Sequence, residues 1–226
     1  MNYQNFKKLE NSQLGKASAI SSFGNLQVIK GLSFFFPHSK KDSPILEVGG
    51  GIGTITKVLL ENFENDIYCY ETNDFCLKKL NVLKRKSNIV GRLEVISDLS
   101  NYLQDEFYAI VIDGPIKKKE LDNIIKNSKE LRFIVVENYR LLQRLLVSIA
   151  LFKSMYRQQY VEIRHNFKPS STIFFIENTN LKNVNFHIVY DFLFSFFKIL
   201  PKLVLHSFLS KGKILGVGRS KSSGYL

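Results

Sequence analysis

The sequence contains few cysteines, no repeat or low-complexity segment, and no apolar stretch at its start. Its two cysteines, Cys69 and Cys76, provide neither a disulfide framework nor a CxxC motif. A reducing cytoplasm is therefore the expected setting. Residues 1–16 are polar and lack the apolar region of a signal peptide, so no secretion is expected.

The composition is that of a folded globular protein. Of the 226 residues, 45% are hydrophobic and 23% are charged, which allows a sizeable core. We expect one domain over residues 1–180, with a helical N-terminal cover in 1–40 and an α/β core in 45–178. Residues 181–226 form a separate basic extension in this prediction.

Acidic residues are scarce relative to basic ones. The net charge is +12, and residues 181–226 contain seven Lys or Arg against a single acid, Asp191. This excess favours anionic partners, namely nucleic acid, acidic lipid headgroups or a phosphorylated substrate. General solubility explains the same charge equally well.

Apolar runs alternate with helical patterns through the middle of the chain. This alternation predicts parallel β/α units in a doubly wound sheet. The runs that predict strands are Ile45–Val48, Asp66–Glu71, Leu93–Ser97, Tyr108–Asp113 and Phe133–Glu137, and the helical stretches are 74–85, 118–129 and 139–157.

Two further β-rich runs follow, Tyr160–Phe167 and Thr172–Glu177. They are joined by Lys-Pro-Ser-Ser, whose residues favour turns, so we expect an antiparallel hairpin. Five parallel strands and this hairpin make a mostly parallel, seven-stranded sheet.

The segment Phe186–Leu209 is apolar but interrupted by Asp191, Lys198, Pro201 and Lys202. A membrane span needs about 20 mostly apolar residues without charges, so this segment is a poor candidate. A helix packed on the domain or at a homodimer interface remains open, as does a helix lying on an anionic membrane through 186–226.

A glycine cluster follows the first predicted strand, in Glu47-Val48-Gly49-Gly50-Gly51-Ile52-Gly53. Glycines let the chain turn sharply into a helix while a ligand approaches the backbone. Thr54 occupies the last glycine position of a dinucleotide fingerprint, and no Gly-Lys-Ser/Thr of a phosphate-binding P-loop is present.

The pattern of Glu47, Gly49, Gly51 and Gly53, with Gly50 between them, resembles motif I of class I S-adenosylmethionine-dependent methyltransferases. The resemblance covers roughly residues 45–178 and implies a Rossmann-like sheet with S-adenosylmethionine as cofactor. It also implies that the acid at 47 lies near the amino-acid end of that cofactor.

Two acids at the ends of later strands have matching family positions. Glu71 is the last residue of the second predicted strand, where a carboxylate can accept hydrogen bonds from the hydroxyls of a ribose. Asp98 and Leu99 follow the third strand, where the family contacts the adenine amino group.

Strand four ends in Asp113-Gly114-Pro115-Ile116 rather than in the Asn/Asp-Pro-Pro-Tyr/Phe of many amino-methyltransferases. This ending resembles small-molecule O-methyltransferases more closely. In catechol-type members, acids after strands four and five bind one Mg²⁺, which here implies Asp113, Glu137 and Asn138 as ligands.

Two features depart from that family. Glutamate replaces aspartate at 137, and Ile116 occupies the position of the lysine base. Asp113 and Lys117 are therefore the catalytic candidates, with His165 as a further base. Without a metal, Asp113 would line the pocket and Glu137 would cap the next helix.

The resulting prediction is a methyltransferase that acts on a hydroxyl of a small or medium-sized acceptor. An aminopropyltransferase of the spermidine-synthase type also has a Gly-Gly-Gly loop, although its polyamine acceptor suits an acidic protein. A non-catalytic methyltransferase-like module that binds a membrane or partner is the third possibility. An RNA acceptor is compatible with the charge, but no RNA-binding motif is visible.

Overall fold

The computed structural model describes residues 2–12, 20–36, 43–85, 91–137, 140–165, 168–177 and 185–215. These residues form seven strands and seven α-helices in an α/β arrangement. The helices are α1 (Tyr3–Asn11), α2 (Phe23–Phe35), α3 (Thr54–Asn62), α4 (Asp74–Lys84), α5 (Lys118–Asn127), α6 (Leu141–Lys153) and α7 (Asn185–Leu215). The strands are β1 (Ile45–Val48), β2 (Ile67–Tyr70), β3 (Leu93–Ile96), β4 (Ala109–Ile112), β5 (Phe133–Glu137), β6 (Arg157–His165) and β7 (Lys168–Glu177).

All seven strands belong to one sheet with the order β3-β2-β1-β4-β5-β7-β6. Strands β1 to β5 pair in parallel, whereas β7 runs antiparallel to both β5 and β6. Six strands therefore share one direction and β7 opposes them. The predicted doubly wound, seven-stranded sheet with a C-terminal antiparallel hairpin is confirmed.

Two apolar clusters fill the two faces of the sheet. One contains Phe6 and Leu26 from the N-terminal helices together with Leu59 and Leu80. The other contains residues of α5, α6 and α7. Every residue of β1 and β4 is buried, as expected for parallel strands covered by helices on both sides.

The boundaries of the parallel strands agree with the prediction to within one residue, but the hairpin differs. Lys168-Pro169-Ser170-Ser171 belongs to β7, whose pairing with β6 extends to His165 and Lys168, so the predicted Lys-Pro-Ser-Ser turn is wrong. Pro169 lies beyond the last β5 pair, Glu137 with Ser171, so β7 has a paired neighbour on only one side there, which is where strands tolerate proline.

The helices are somewhat shorter than their apolar patterns. Helix α6 covers 141–153 rather than 139–157, because Arg157 already pairs in β6. In the region that the structure describes, no helix has both the length and the hydropathy needed to cross a bilayer.

Candidate active site

The loop after β1 turns by means of glycines in the left-handed region. Gly49 and Gly53 both have φ of +87°, and Gly51 has φ of +53°. A Cβ on Gly49 would lie 2.4 Å from the backbone nitrogen of Gly114, so the two loops meet backbone to backbone. This contact explains why glycine follows Asp113 at the end of β4.

Glu71 at the end of β2 lies against the glycine loop. Its Oε2 accepts a hydrogen bond from the Gly51 N–H at 2.7 Å, and its Oε1 accepts from the Thr72 and Asn73 N–H groups at 2.7 and 2.9 Å. The two motifs that the sequence suggested are thus in contact. Parallel pairing of β1 with β2 brings them together, because both strands end at the same edge of the sheet.

Glu47 lies beneath the loop and is fully buried. Its Oε2 accepts a hydrogen bond from the Thr56 hydroxyl at 2.7 Å. Its Oε1 has no hydrogen-bond partner at normal distance. The Cys69 thiol lies beside the carboxyl group. Burial raises the pKa of Glu47 to about 8, against a smaller lowering by Thr56. The carboxyl is therefore neutral at pH 7 in this structure.

Asp98 and Leu99 differ in their surroundings. Asp98 is exposed and accepts hydrogen bonds from the Ser100 N–H at 2.9 Å and hydroxyl at 2.7 Å, which lower its pKa. Leu99 is only 2% exposed and packs in the second apolar cluster. Its side chain therefore belongs to the core, and a ligand could reach only its backbone.

Asp113 and Glu137 bring two carboxyl groups together at the ends of β4 and β5. Burial raises the pKa of Glu137 to about 8, and the hydrogen-bonded Asp113 carboxyl beside it acts in the same direction. Arg140 donates from Nη2 to the Asp113 carbonyl oxygen at 2.6 Å. The backbone N–H groups of Asp113 and Gly114 both donate to the Val48 carbonyl, which fixes this loop against β1.

The proposed magnesium ligands are only partly brought together. Asp113 and Glu137 are adjacent, but Asn138 lies outside the described residues. Within the described ranges, no group of three or more His, Cys, Asp or Glu side chains could bind a metal ion. The Mg²⁺ site therefore stays a prediction without structural support.

The segment before α2 reaches the same edge of the sheet. The Ser22 backbone hydrogen-bonds with the Glu137 carboxyl, and the Ser21 N–H donates to the Thr54 hydroxyl at 3.4 Å. Asn25 links this segment to the hairpin: it donates to the Ser21 hydroxyl at 2.7 Å and accepts from the Ser171 hydroxyl at 2.6 Å. These contacts bring the N-terminal segment to the edge of the sheet where the glycine loop lies.

Sequence reasoning did not identify Ser21, Ser22, Asn25 or Arg140 as parts of the site. Ser22 caps α2 by accepting from the Asn25 N–H at 3.2 Å, so a Ser-x-x-Asn pattern marks the start of the helix. That pattern gives no sign that the helix begins beside Glu137. Tertiary packing alone determines this contact.

Of the two remaining candidate bases, Lys117 lies at the periphery of the site. The Lys117 side chain is 85% exposed and forms an ion pair with Glu120 at 3.3 Å, near Asp98. His165 is the last residue of β6, and its side chain lies outside the described part. Asp113 is the predicted catalytic residue that lies closest to the glycine loop.

No family model matches this chain, and no curated protein matches its sequence. Solved structures do match its fold. A protein of Clostridium thermocellum, assigned as an rRNA methylase, is similar over 72% of this chain and 100% of its own, with a TM-score of 0.51 and 13% identity. The methyltransferase domain of bacterial CtHen1-C is similar over 69% and 99%, with a TM-score of 0.50 and 13% identity.

These similarities, together with the strand order, show that the chain has the Rossmann-like fold of class I methyltransferases. At 13% identity they show the fold alone.

Proposed function

We propose that this protein is an S-adenosylmethionine-dependent methyltransferase. The observation that supports this most directly is the 2.7 Å contact between Glu71 and the Gly51 N–H, at the edge where α/β sheets bind ligands. A glycine loop and a strand-end carboxylate in contact are the two elements that a nucleoside ligand needs.

The residues at this edge fit such a cofactor. The loop bears no side chain at Gly51, so none stands between its backbone there and a ligand, whereas the missing side chains of Gly49 and Gly50 make room for Gly114 and Cys69. Glu71 would accept hydrogen bonds from the ribose hydroxyls. The buried Oε1 of Glu47 would accept a hydrogen bond from a donor such as the amino group of the methionine moiety, and a positive charge on that donor would favour the ionised form of the carboxyl. When bound, the cofactor supplies a methyl group on a sulfonium that is already a strong electrophile.

The acceptor is proposed to be a hydroxyl of a small or medium-sized molecule. Asp113 is the carboxylate that would take the proton from this hydroxyl, because it lies beside the glycine loop and is fixed by its own backbone. Arg140 would keep the Asp113 loop in position through its carbonyl contact. Ser21 and Ser22 would limit the size of the acceptor from the opposite side.

An RNA acceptor is the second candidate, favoured by the net charge of +12. Its binding would weaken steeply as salt rises, because counterions are released from the phosphates. An aminopropyltransferase would instead turn over decarboxylated S-adenosylmethionine with putrescine, and this assay separates the two chemistries.

The proposal is tested by calorimetric titration with S-adenosylhomocysteine. We expect micromolar binding to the unmodified protein and a loss of tenfold or more in Glu71→Gln, about 1.4 kcal/mol, because one carboxylate acceptor is replaced by a donor. Glu61→Gln is the matched control, since Glu61 is an exposed residue of α3 that pairs only with Lys57. Absence of binding by a folded protein would refute the proposal.

A further inference from the structure

Helix α7 presents an apolar stripe that nothing in the described structure covers. The exposed side chains lie on one face of the helix, at spacings of three, four and seven residues. They are Val189, Tyr190, Leu193, Phe194, Phe197, Val204 and Leu205. Phe197 is 67% exposed, which is unusual for a phenylalanine.

The opposite face of α7 attaches the helix firmly to the domain. Ile188 and Ile199 are buried, and Phe192 stacks on Phe152 of α6 with ring centroids 4.5 Å apart. Removing 186–226 would therefore expose the core of the domain. Point substitutions on the outer stripe are the cleaner test.

Two ion pairs fix the direction of α7 along the sheet. Asp191 pairs with Arg157 at the start of β6, and Lys202 pairs with Glu162 near its end. The helix therefore runs alongside β6, and β6 has the same direction as β1 to β5. The outer stripe lies along one side of the domain.

The exposed face of α7 has a single sign of charge. Asp191, the only acid in 181–226, is turned towards Arg157 of the sheet. Lys198 is exposed within the stripe, with its Nζ 5.4 Å from the centre of the Phe194 ring. Lys211 and Lys213 follow in the same helix. The stripe is thus apolar and cationic, with no carboxylate on its described outer face.

We propose that this stripe binds the headgroup region of an anionic membrane, with α7 lying in the plane of the surface. Exposed aromatic and aliphatic side chains would enter the boundary between headgroups and acyl chains, while the lysines would contact acidic lipids. The net charge of +12 adds a general attraction to such a surface.

The same observations argue against the other occupants. Two copies of this chain, each with a net charge of +12, would repel each other. RNA offers phosphates to the lysines and bases that could stack on the aromatic rings, but it gains little from the exposed aliphatic side chains of Val189, Leu193, Val204 and Leu205.

Vesicle flotation of the full chain tests the proposal. We expect binding to vesicles that contain phosphatidylglycerol and much weaker binding to pure phosphatidylcholine. Phe194→Ser with Phe197→Ser should reduce the binding about tenfold or more, because two large apolar side chains no longer enter the bilayer. Thermal unfolding of the double variant should match that of the unmodified protein, since both residues are exposed.

Phe34→Ser with Phe35→Ser is the matched control. These phenylalanines of α2 are 75% and 78% exposed, so the control removes at least as much exposed apolar area from a different surface. Unchanged binding in the α7 variant, or an equal loss in the control, would overturn the proposal. So would a dimer of the unmodified protein that the α7 variant converts to monomers, because the second copy would then cover the stripe.

Discussion

The two halves of the candidate site differ in how far apart their residues lie in the sequence. The cofactor half, residues 45–73, is one β/α/β unit that contains Glu47, the glycine loop and Glu71. The acceptor half, made of Ser21, Ser22, Asp113, Glu137 and Arg140, comes from three separate parts of the chain. Local sequence therefore determines the first half, whereas tertiary packing determines the second.

The largest expected effect on stability comes from a substitution at the contact between the two halves, where Gly49 meets Gly114. Gly49→Ala would place a Cβ 2.4 Å from the backbone nitrogen of Gly114 and would force alanine to a φ of +87°. We expect a loss of about 4 kcal/mol in the free energy of unfolding, because a backbone clash is added to left-handed strain. Urea denaturation with far-ultraviolet circular dichroism measures it.

Gly31→Ala is the control for this substitution. Gly31 lies within α2, and a Cβ there would meet nothing within 4 Å. Alanine favours helix over glycine, so stability should stay unchanged or rise by up to about 1 kcal/mol. Similar losses in both variants would mean that the contact between Gly49 and Gly114 does not hold the two loops together.

The difference between the halves also explains which sequence predictions succeeded. Runs such as Ala109–Ile112 are buried on both faces, and uninterrupted apolar residues bounded by polar ones mark such strands well. The sequence placed the glycine loop and Glu71 at the ends of neighbouring parallel strands, and the structure adds that they are in contact there. The position of the hairpin tip did not, because Pro169 favours a turn locally but sits where β5 has already ended.

The acceptor half offered no comparable signal. Asn25 and Ser171 are 146 positions apart, and buried serines and asparagines resemble ordinary surface residues in a sequence. Leu99 is the reverse case: its family position suggested a contact with the ligand, but its side chain packs in the core. Spacing along the chain cannot distinguish these cases.

The second prediction concerns Glu47 in the cofactor half. Its pKa is raised from 4.5 to about 8 in the folded protein, so the folded state binds this proton more tightly than the unfolded state. Stability from this group is fully present below about pH 4.5 and is lost as the pH rises to about 8. Glutamine resembles the protonated carboxyl and does not titrate.

Glu47→Gln should therefore gain stability relative to the unmodified protein as the pH rises from 5 to 8, by about 3 kcal/mol, and the gain should level off above that. Urea denaturation at a series of pH values measures this difference. Glu61→Gln, on the exposed surface of α3, is the matched control. A stability difference for Glu47→Gln that does not change with pH would mean that the buried carboxyl is ionised at neutral pH.

The smallest effect is expected in the link between the N-terminal segment and the hairpin. Asn25→Ala removes the amide that joins the Ser21 and Ser171 hydroxyls, and all three residues are buried. Two buried hydroxyls then lack their partner, which should lower the free energy of unfolding by about 2 kcal/mol. Urea denaturation measures this loss.

A double-mutant cycle decides whether that loss comes from the hydrogen bond. If it does, Asn25→Ala and Ser171→Ala together should cost clearly less than the sum of the two single losses, because the first substitution already breaks the shared contact. Additive losses would show that Asn25 and Ser171 contribute independently. The position of α2 at the edge of the sheet near the glycine loop would then depend on its apolar contacts alone. No hydrogen bond between Asn25 and Ser171 would help to hold the N-terminal segment against the hairpin.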